Sequence, residues 1–267
     1  MSHVLSIQDL SCVGRCSLTA ALPVLSAMGH QCSVLPTAVL STHTGFPDPE
    51  AVSLTGQLTA FARHWSALGI PFDAITLGYL ASPAEALAVQ AVLNRFPQDL
   101  ILDPVLGDGG RLYKRMTPEH IDALRSLFPR AKAVLPNVTE AAFLTGLGYR
   151  ETAEEGYYES LAAGLLSLGA EAAVITGIPW SDGEIGWFYS DGRVSLSYRG
   201  SRVPRSCHGT GDLFAAALTG GYLKGKTIPD AAALAAEFVR RCVENTPRQS
   251  PMGAVFEPVL PWLWQQL

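Results

Sequence analysis

The sequence predicts an α/β fold in which a mainly parallel central sheet carries helices on both faces, with an antiparallel hairpin late at one edge. Three observations carry this expectation. Short apolar, strand-like runs alternate with longer helical patterns along nearly the whole chain. The connections are short, and several are marked by a glycine just after a helix or a proline in its first turn. Asp191-Gly192 divides two strand-like runs, which is a hairpin signal.

The elements follow in order. Val4–Gln8 reads as a buried strand, Ser17–Met28 as a helix closed by Gly29, and Cys32–Val39 as the next strand. Pro49–Leu68 has a helical pattern ending at Gly69. Ala74–Leu77 is a strand, Pro83–Phe96 a helix, and Leu100–Asp103 a strand stopped by Pro104. The rhythm repeats with a helix at Pro118–Phe128 capped by Thr117, a strand at Ala133–Leu135 and helices at Val138–Thr145 and Gly156–Leu168. Ala172–Thr176 is a strand, and Gly186–Ser190 with Val194–Tyr198 forms the hairpin. Gly211–Leu223 and Pro229–Val243 close the chain as helices. In such sheets ligands bind outside the carboxyl ends of the strands.

Composition narrows the class. A length of 267 residues with 48% hydrophobic residues supplies one large core, so residues 1–267 are expected to form a single domain. Only 16% of residues are charged and no long charge run occurs, which argues against disorder. A net charge of −5 gives no sign of a nucleic-acid surface or a membrane-binding basic patch. Met1–Ile7 enters a strand without a basic region and apolar core, so no signal peptide is expected, and no apolar run is long enough to span a bilayer. The five cysteines, Cys12, Cys16, Cys32, Cys207 and Cys242, are odd in number and form no C-x-x-C pair. Neither a disulfide framework nor a zinc site is expected, and a reducing cytoplasm fits.

Three segments carry chemistry. His208-Gly-Thr-Gly-Asp212 opens a small-residue helix. Gly209 and Gly211 let the backbone approach a ligand, and the helix start presents unpaired N–H groups to negative charge. Thr210 and Asp212 can serve simply as helix-start residues, but Asp212 can also take a proton from an attacking hydroxyl. Asp103-Pro-Val-Leu-Gly-Asp108-Gly-Gly follows a strand. Two carboxylates beside phosphates generally act through Mg²⁺, and the glycines permit a mobile cover. Asn137-Val-Thr-Glu140 is a capping-box variant at a helix start. A dinucleotide-binding dehydrogenase is disfavoured, because no Gly-x-Gly-x-x-Gly follows the first strand.

These segments together resemble the pyridoxal kinases of the ribokinase superfamily. His208-Gly-Thr-Gly-Asp212 is similar to the second superfamily signature, and Asp103-Pro-Val-Leu-Gly-Asp108 to the Asp-Pro-Val-x-Gly-Asp stretch of pyridoxal kinases. The resemblance implies a ribokinase-like three-layer α/β/α fold. It implies Asp212 as catalytic base, with Gly209, Thr210 and Gly211 as the anion hole. It places Asp103, Asp108, Asn137, Glu140, Thr176, Gly209 and Gly211 at ATP, and Glu140, Asn137 and Asp103 at the metal. Glu140 can orient a metal-bound water or cap its helix, and Thr176 can face the nucleotide or only its own strand end.

On the acceptor side the resemblance assigns Asp9, Ser11, Thr44, Tyr79 and Asp212. Thr44 lies in Ser41-Thr-His-Thr-Gly-Phe46, similar to the family's His-Thr-Gly, and Tyr79 in Gly78-Tyr79. Asp9 stands where the family's opening Ile-Gln-Ser has its serine, and Ser11 is the nearest hydroxyl. The implied activity is ATP-dependent phosphorylation of the 5'-hydroxyl of a B6 vitamer: pyridoxal, pyridoxamine or pyridoxine. Mg²⁺, a monovalent cation such as K⁺, a cytoplasmic homodimer and a role in vitamin B6 salvage are implied with it. The alternatives are a ribokinase-like kinase for a thiamin pyrimidine, sugar or nucleoside, and a non-catalytic B6 carrier or sensor. Thiamin-pyrimidine kinases commonly carry Cys where this chain has Asp212.

Overall fold

The computed structural model describes residues 1–267. In chain order the elements are β1 (His3–Ser11), α1 (Leu18–Ala27), β2 (Gln31–Leu40), β3 (Ala51–Ser53), α2 (Thr55–Ala67), β4 (Ala74–Leu77), α3 (Pro83–Leu93) and β5 (Asp99–Leu102). Then come β6 (Gly107–Asp108), β7 (Arg111–Leu112), α4 (Pro118–Arg125), β8 (Ala131–Val134), α5 (Val138–Thr145) and α6 (Glu155–Ser167). The last are β9 (Ala173–Ser181), β10 (Glu184–Ser190), β11 (Ser195–Ser201), α7 (Thr210–Leu223), α8 (Ile228–Asn245) and α9 (Leu260–Gln265).

The main sheet has the order β11-β10-β9-β8-β5-β4-β1-β2-β3. Strands β2, β1, β4, β5, β8 and β9 are parallel, while β3 pairs antiparallel with β2, and β10 and β11 fold back as the expected hairpin. The hairpin turn is held by Asp191 Oδ1, which accepts from the amides of Arg193 and Val194 at 2.9 Å each. The chain turns from β1 to β2 on one side and resumes with β4 on the other, so the order reverses at β1. A crevice at the carboxyl edge beside such a reversal is where ligands bind.

Alternate strand residues feed two cores because successive side chains point to opposite faces. Leu5, Ile7, Ile75, Leu77, Leu100 and Leu102 pack with residues of α2 to α6 on one face. Val4, Ile101, Ala133 and Val174 pack with α1, α7, α8 and α9 on the other. Both faces being covered, β4 is buried throughout, including Thr76, which interrupts an otherwise apolar run. Small residues let α7 sit close to α1. A Cβ added at Gly220 would lie 2.3 Å from Met28 Sδ. This seats the first turn of α7 at the carboxyl edge.

Two sequence expectations need correction. Pro49–Leu68 is not one helix: Ala51–Ser53 forms the edge strand β3, and the helix begins at Thr55. All three β3 residues are exposed, so no apolar alternation betrays the strand. The first helix starts at Leu18, and Ser17 is its N-cap at φ 50°, a left-handed conformation uncommon for serine. Its hydroxyl does not cap the helix but turns to Asp9, at 2.5 Å from Oδ1. No helix is long and apolar enough to cross a membrane.

Candidate active site

A cleft of about 720 Å³ opens at the carboxyl edge of the parallel strands. Every residue singled out in the sequence lines it: Asp9, Ser11, Thr44, Tyr79, Asp103, Asp108, Asn137, Glu140, Thr176, Gly209, Thr210, Gly211 and Asp212. A smaller hollow of about 310 Å³ beside Leu147, Arg150 and Tyr157 contains none of them.

The floor is the first turn of α7. Gly209 is the N-cap in the left-handed region at φ 80°, and the amides of the first turn have no intrahelical partner. A Cβ on Gly209 would come within 2.0 Å of the Arg15 carbonyl oxygen, so the turn and the loop before α1 are in direct contact. Asp212 is half-buried, open to the cleft on one side. Burial pushes its carboxyl up to about 7, against a lowering contribution from the Ser17 amide, and Asp9 adds to the rise.

The second wall comes from the ends of β5 and β8. Asn137 caps α5: its Oδ1 accepts from the Glu140 amide at 2.9 Å, and Glu140 Oε2 accepts from the Asn137 amide at 2.8 Å. Glu140 Oε1 accepts from the Leu106 amide at 3.0 Å, and Asn137 Nδ2 donates to the Gly107 carbonyl at 2.8 Å. The capping box therefore exists and also ties α5 to the loop after β5. Burial raises Glu140 to about 7 despite those amides. Asp108, Gly109 and Gly110 form the tip of the β6–β7 hairpin, with φ 56° and 75° at the two glycines, where a two-residue turn demands left-handed backbone. Thr176 lies in β9 beside Asn137, its amide donating to the Pro136 carbonyl at 2.9 Å.

Asp103 differs from its neighbours. It is buried, and its carboxyl has no hydrogen-bond donor in the protein. Burial, then the charges of Glu140 and Asp212, hold it well above the usual carboxylate range. An orphaned buried carboxyl flanked by two more acids fits a divalent cation, which would relieve all three. No three acidic, histidine or cysteine side chains converge on one point, so Asp103 would be the direct protein ligand, with Asn137 and Glu140 beside it, and water or phosphate oxygens would have to supply the rest.

The raised acids set a pH dependence of stability. Asp103, Glu140 and Asp212 hold protons in the folded state at pH values where the unfolded chain has lost them. Folded protein then binds more protons, and stability falls as pH rises from about 4 through about 7. We expect the thermal midpoint of the ligand-free protein to drop between pH 5 and pH 8, and Asp103→Asn to raise it at pH 8 and flatten the slope. Calorimetry across that range checks both, and an unchanged slope in the variant removes Asp103 from the effect.

Other residues complete the lining. Cys16 and Ser17, which had no clear sequence signal, surround the acceptor end together with His43 and His208 of the two quoted motifs. The far wall is made by Trp187, Tyr198, Val203, Val239, Arg240 and Val243. Trp187 and Tyr198 are paired across β10 and β11 and stack at 5.5 Å with 12° between planes. Two aromatics on strands separated by Asp191-Gly192 were the one available hint.

A ribokinase-like sheet carrying a Gly-x-Gly-Asp turn at its carboxyl edge defines the class of this protein as a small-molecule kinase. The chain belongs to the phosphomethylpyrimidine kinase family, whose model matches residues 18–259. It is 31% identical to the pyridoxine/pyridoxal/pyridoxamine kinase of Bordetella bronchiseptica, with 91% of this chain and 89% of that one aligned. It is 29% identical to the hydroxymethylpyrimidine/phosphomethylpyrimidine kinase of Mycobacterium leprae, over 97% and 93% of the two chains. The crystal structure of pyridoxal kinase from Lactobacillus plantarum superposes with a TM-score of 0.92 at 33% identity, covering 100% of this chain and 98% of that one. The protein is accordingly an ATP-dependent phosphotransferase that acts on an alcohol group.

Proposed function

We propose that the chain transfers the γ-phosphoryl group of ATP to the 5'-hydroxyl of a B6 vitamer. The observation that carries this reading is one continuous cleft, with Asp212 and the Gly209–Gly211 amides at its centre and the Asp9–Thr44–Tyr79 wall at one end. The names of the relatives at 31% and 33% identity support the acceptor. The Mycobacterium leprae relative favours a second reading, a hydroxymethylpyrimidine acceptor. Asp212, in place of the cysteine common among thiamin-pyrimidine kinases, weighs against it.

In the reaction the acceptor hydroxyl gives its proton to Asp212 as its oxygen bonds to the γ-phosphorus. The bond from phosphorus to the bridging oxygen breaks, and ADP leaves. A carboxyl near 7 is matched to such a transfer at neutral pH. First-turn amides of α7 receive the charge on the equatorial oxygens. Mg²⁺, held near Asp103 and through water by Asn137 and Glu140, would neutralise the phosphate charge. The apolar far wall at Trp187, Tyr198, Val203 and Val243 suits a flat base. The same reading makes residues 1–267 one kinase unit and the protein a cytoplasmic homodimer in vitamin B6 salvage.

The test is ADP release with ATP and Mg²⁺ over pyridoxal, pyridoxine, pyridoxamine, hydroxymethylpyrimidine and a sugar panel. Turnover of the B6 compounds is expected. Silence on all three with turnover of hydroxymethylpyrimidine replaces the acceptor, and binding of pyridoxal without ADP release makes the protein a carrier.

A further inference from the structure

The β6–β7 hairpin stands apart from the main sheet and has two residues in each strand. A ladder that short does not hold itself in place, so its position is set by what it docks against. It forms part of the cleft wall: Asp108 at its tip and Tyr113 just after β7 both line the cavity. Its base is fixed by the capping box of α5, where the Leu106 amide donates to Glu140 Oε1 at 3.0 Å and Asn137 Nδ2 donates to the Gly107 carbonyl at 2.8 Å. Its tip is held by two other groups. The Gly110 amide donates to Thr139 Oγ1 at 2.9 Å. The ring of Tyr149 packs on Gly110 so closely that an added Cβ would lie 2.7 Å from Cδ1 and 3.0 Å from Cε1.

Tyr149 lies in the loop between α5 and α6, 38% exposed and outside the cleft lining. It meets Gly110 through ring carbons and not through its hydroxyl. One buried group braces the backbone on both sides of it: Tyr157 Oη accepts from the Arg150 amide at 3.2 Å and donates to the Gly148 carbonyl at 2.9 Å. The Arg150 guanidinium also lies over the Tyr157 ring, 5.6 Å from its centroid. The ring of Tyr149 is thus presented on an anchored loop, and an aromatic face on a bare glycine is an apolar seat for the hairpin tip. A side chain at Gly110 would push the two apart, and its φ of 75° already favours glycine.

We infer that Tyr149 is a positioning residue for phosphoryl transfer: it seats the hairpin tip, and through it Asp108, over the phosphates of ATP. This rests on the reading that places those phosphates beside Asp108. The seated hairpin also shields the γ-phosphoryl group from bulk water. Transfer to water instead of the acceptor gives ADP and inorganic phosphate, and a loosened tip admits that side reaction.

The test measures ADP release from ATP and Mg²⁺, with and without pyridoxal, or with hydroxymethylpyrimidine where that is the acceptor turned over. The proteins compared are wild type, Tyr149→Phe, Tyr149→Ala, Gly110→Ala and the Gly110→Ala/Tyr149→Ala double variant. Tyr149→Ala is expected to lower kcat/KM for ATP about tenfold or more, and to raise the fraction of ADP released without acceptor. Its thermal midpoint should stay near wild type, because the side chain is on an exposed loop. Tyr149→Phe keeps the contacting carbons and is expected to restore both readouts. Gly110→Ala should reproduce the defect, and the double variant should be no worse than the poorer single one, because both substitutions undo the same contact. Wild-type efficiency and coupling in Tyr149→Ala overturn the inference, and so do additive losses in the double variant. Asp108→Asn with an unchanged KM for ATP overturns instead the placement of the phosphates at the hairpin, the reading beneath it.

Discussion

Asp212→Ala is expected to lower kcat by roughly 10²–10⁴-fold while leaving the fold and ATP binding in place. The side chain sits at the first turn of α7, where it faces the cleft. Its removal also relieves a carboxyl that burial keeps protonated to about pH 7, so the ligand-free variant should be no less stable than wild type at pH 8. The base works only when ionised. In wild type, kcat/KM should therefore rise with pH through a limb near 7, and Asp212→Asn should lose that limb along with its rate. Steady-state kinetics across pH 5.5–8.5, with calorimetric titration of ATP, read out both effects. Wild-type turnover in either variant would exclude Asp212 as the base.

Gly209→Ala is expected to cost both stability and activity. The backbone there is left-handed at φ 80°, and the new methyl would stand 2.0 Å from the Arg15 carbonyl oxygen. Arg15 has little room to retreat, because its amide donates to the Met252 carbonyl at 2.7 Å and its side chain pairs with Glu257 at 2.7 Å. The turn must open instead, which withdraws the amides from the transferring phosphoryl group. Strain and overpacking together should destabilise by roughly 2–5 kcal/mol, and loss of the preorganised donors should lower kcat about 10²-fold or more. Gly211→Ala is the control for stability: its φ is ordinary and the nearest atom, Asp103 Oδ2, lies 3.5 Å away, so its thermal midpoint should stay near wild type. Equal thermal midpoints for the two variants would show that the contact with Arg15 does not constrain the turn.

Much of the architecture was legible because local rules wrote it. The alternation of strands and helices and the hairpin at Asp191-Gly192 agree with the observed order, and the caps at Thr117 and Asn137 are both present with capping boxes. What went unread was short or depended on distant pairing. β3 is an exposed three-residue strand that exists because β2 offers an edge, and α9 is a short helix whose Leu263 completes the core against α1 and α7. The departure at Ser17 had no local signal. Its left-handed backbone accompanies a hydroxyl turned to Asp9, eight residues away in β1.

By itself the sequence settled which elements form and where the glycine-softened turn with its acid begins a helix, since periodicity, caps and turn residues act over a few neighbours. Only the tertiary structure decided that loops after six different strands meet in one cleft, that Asp103 loses every donor, and that Ser17 turns its hydroxyl to Asp9. Charge and burial are properties of contacts between residues far apart in the chain, and no local pattern encodes them.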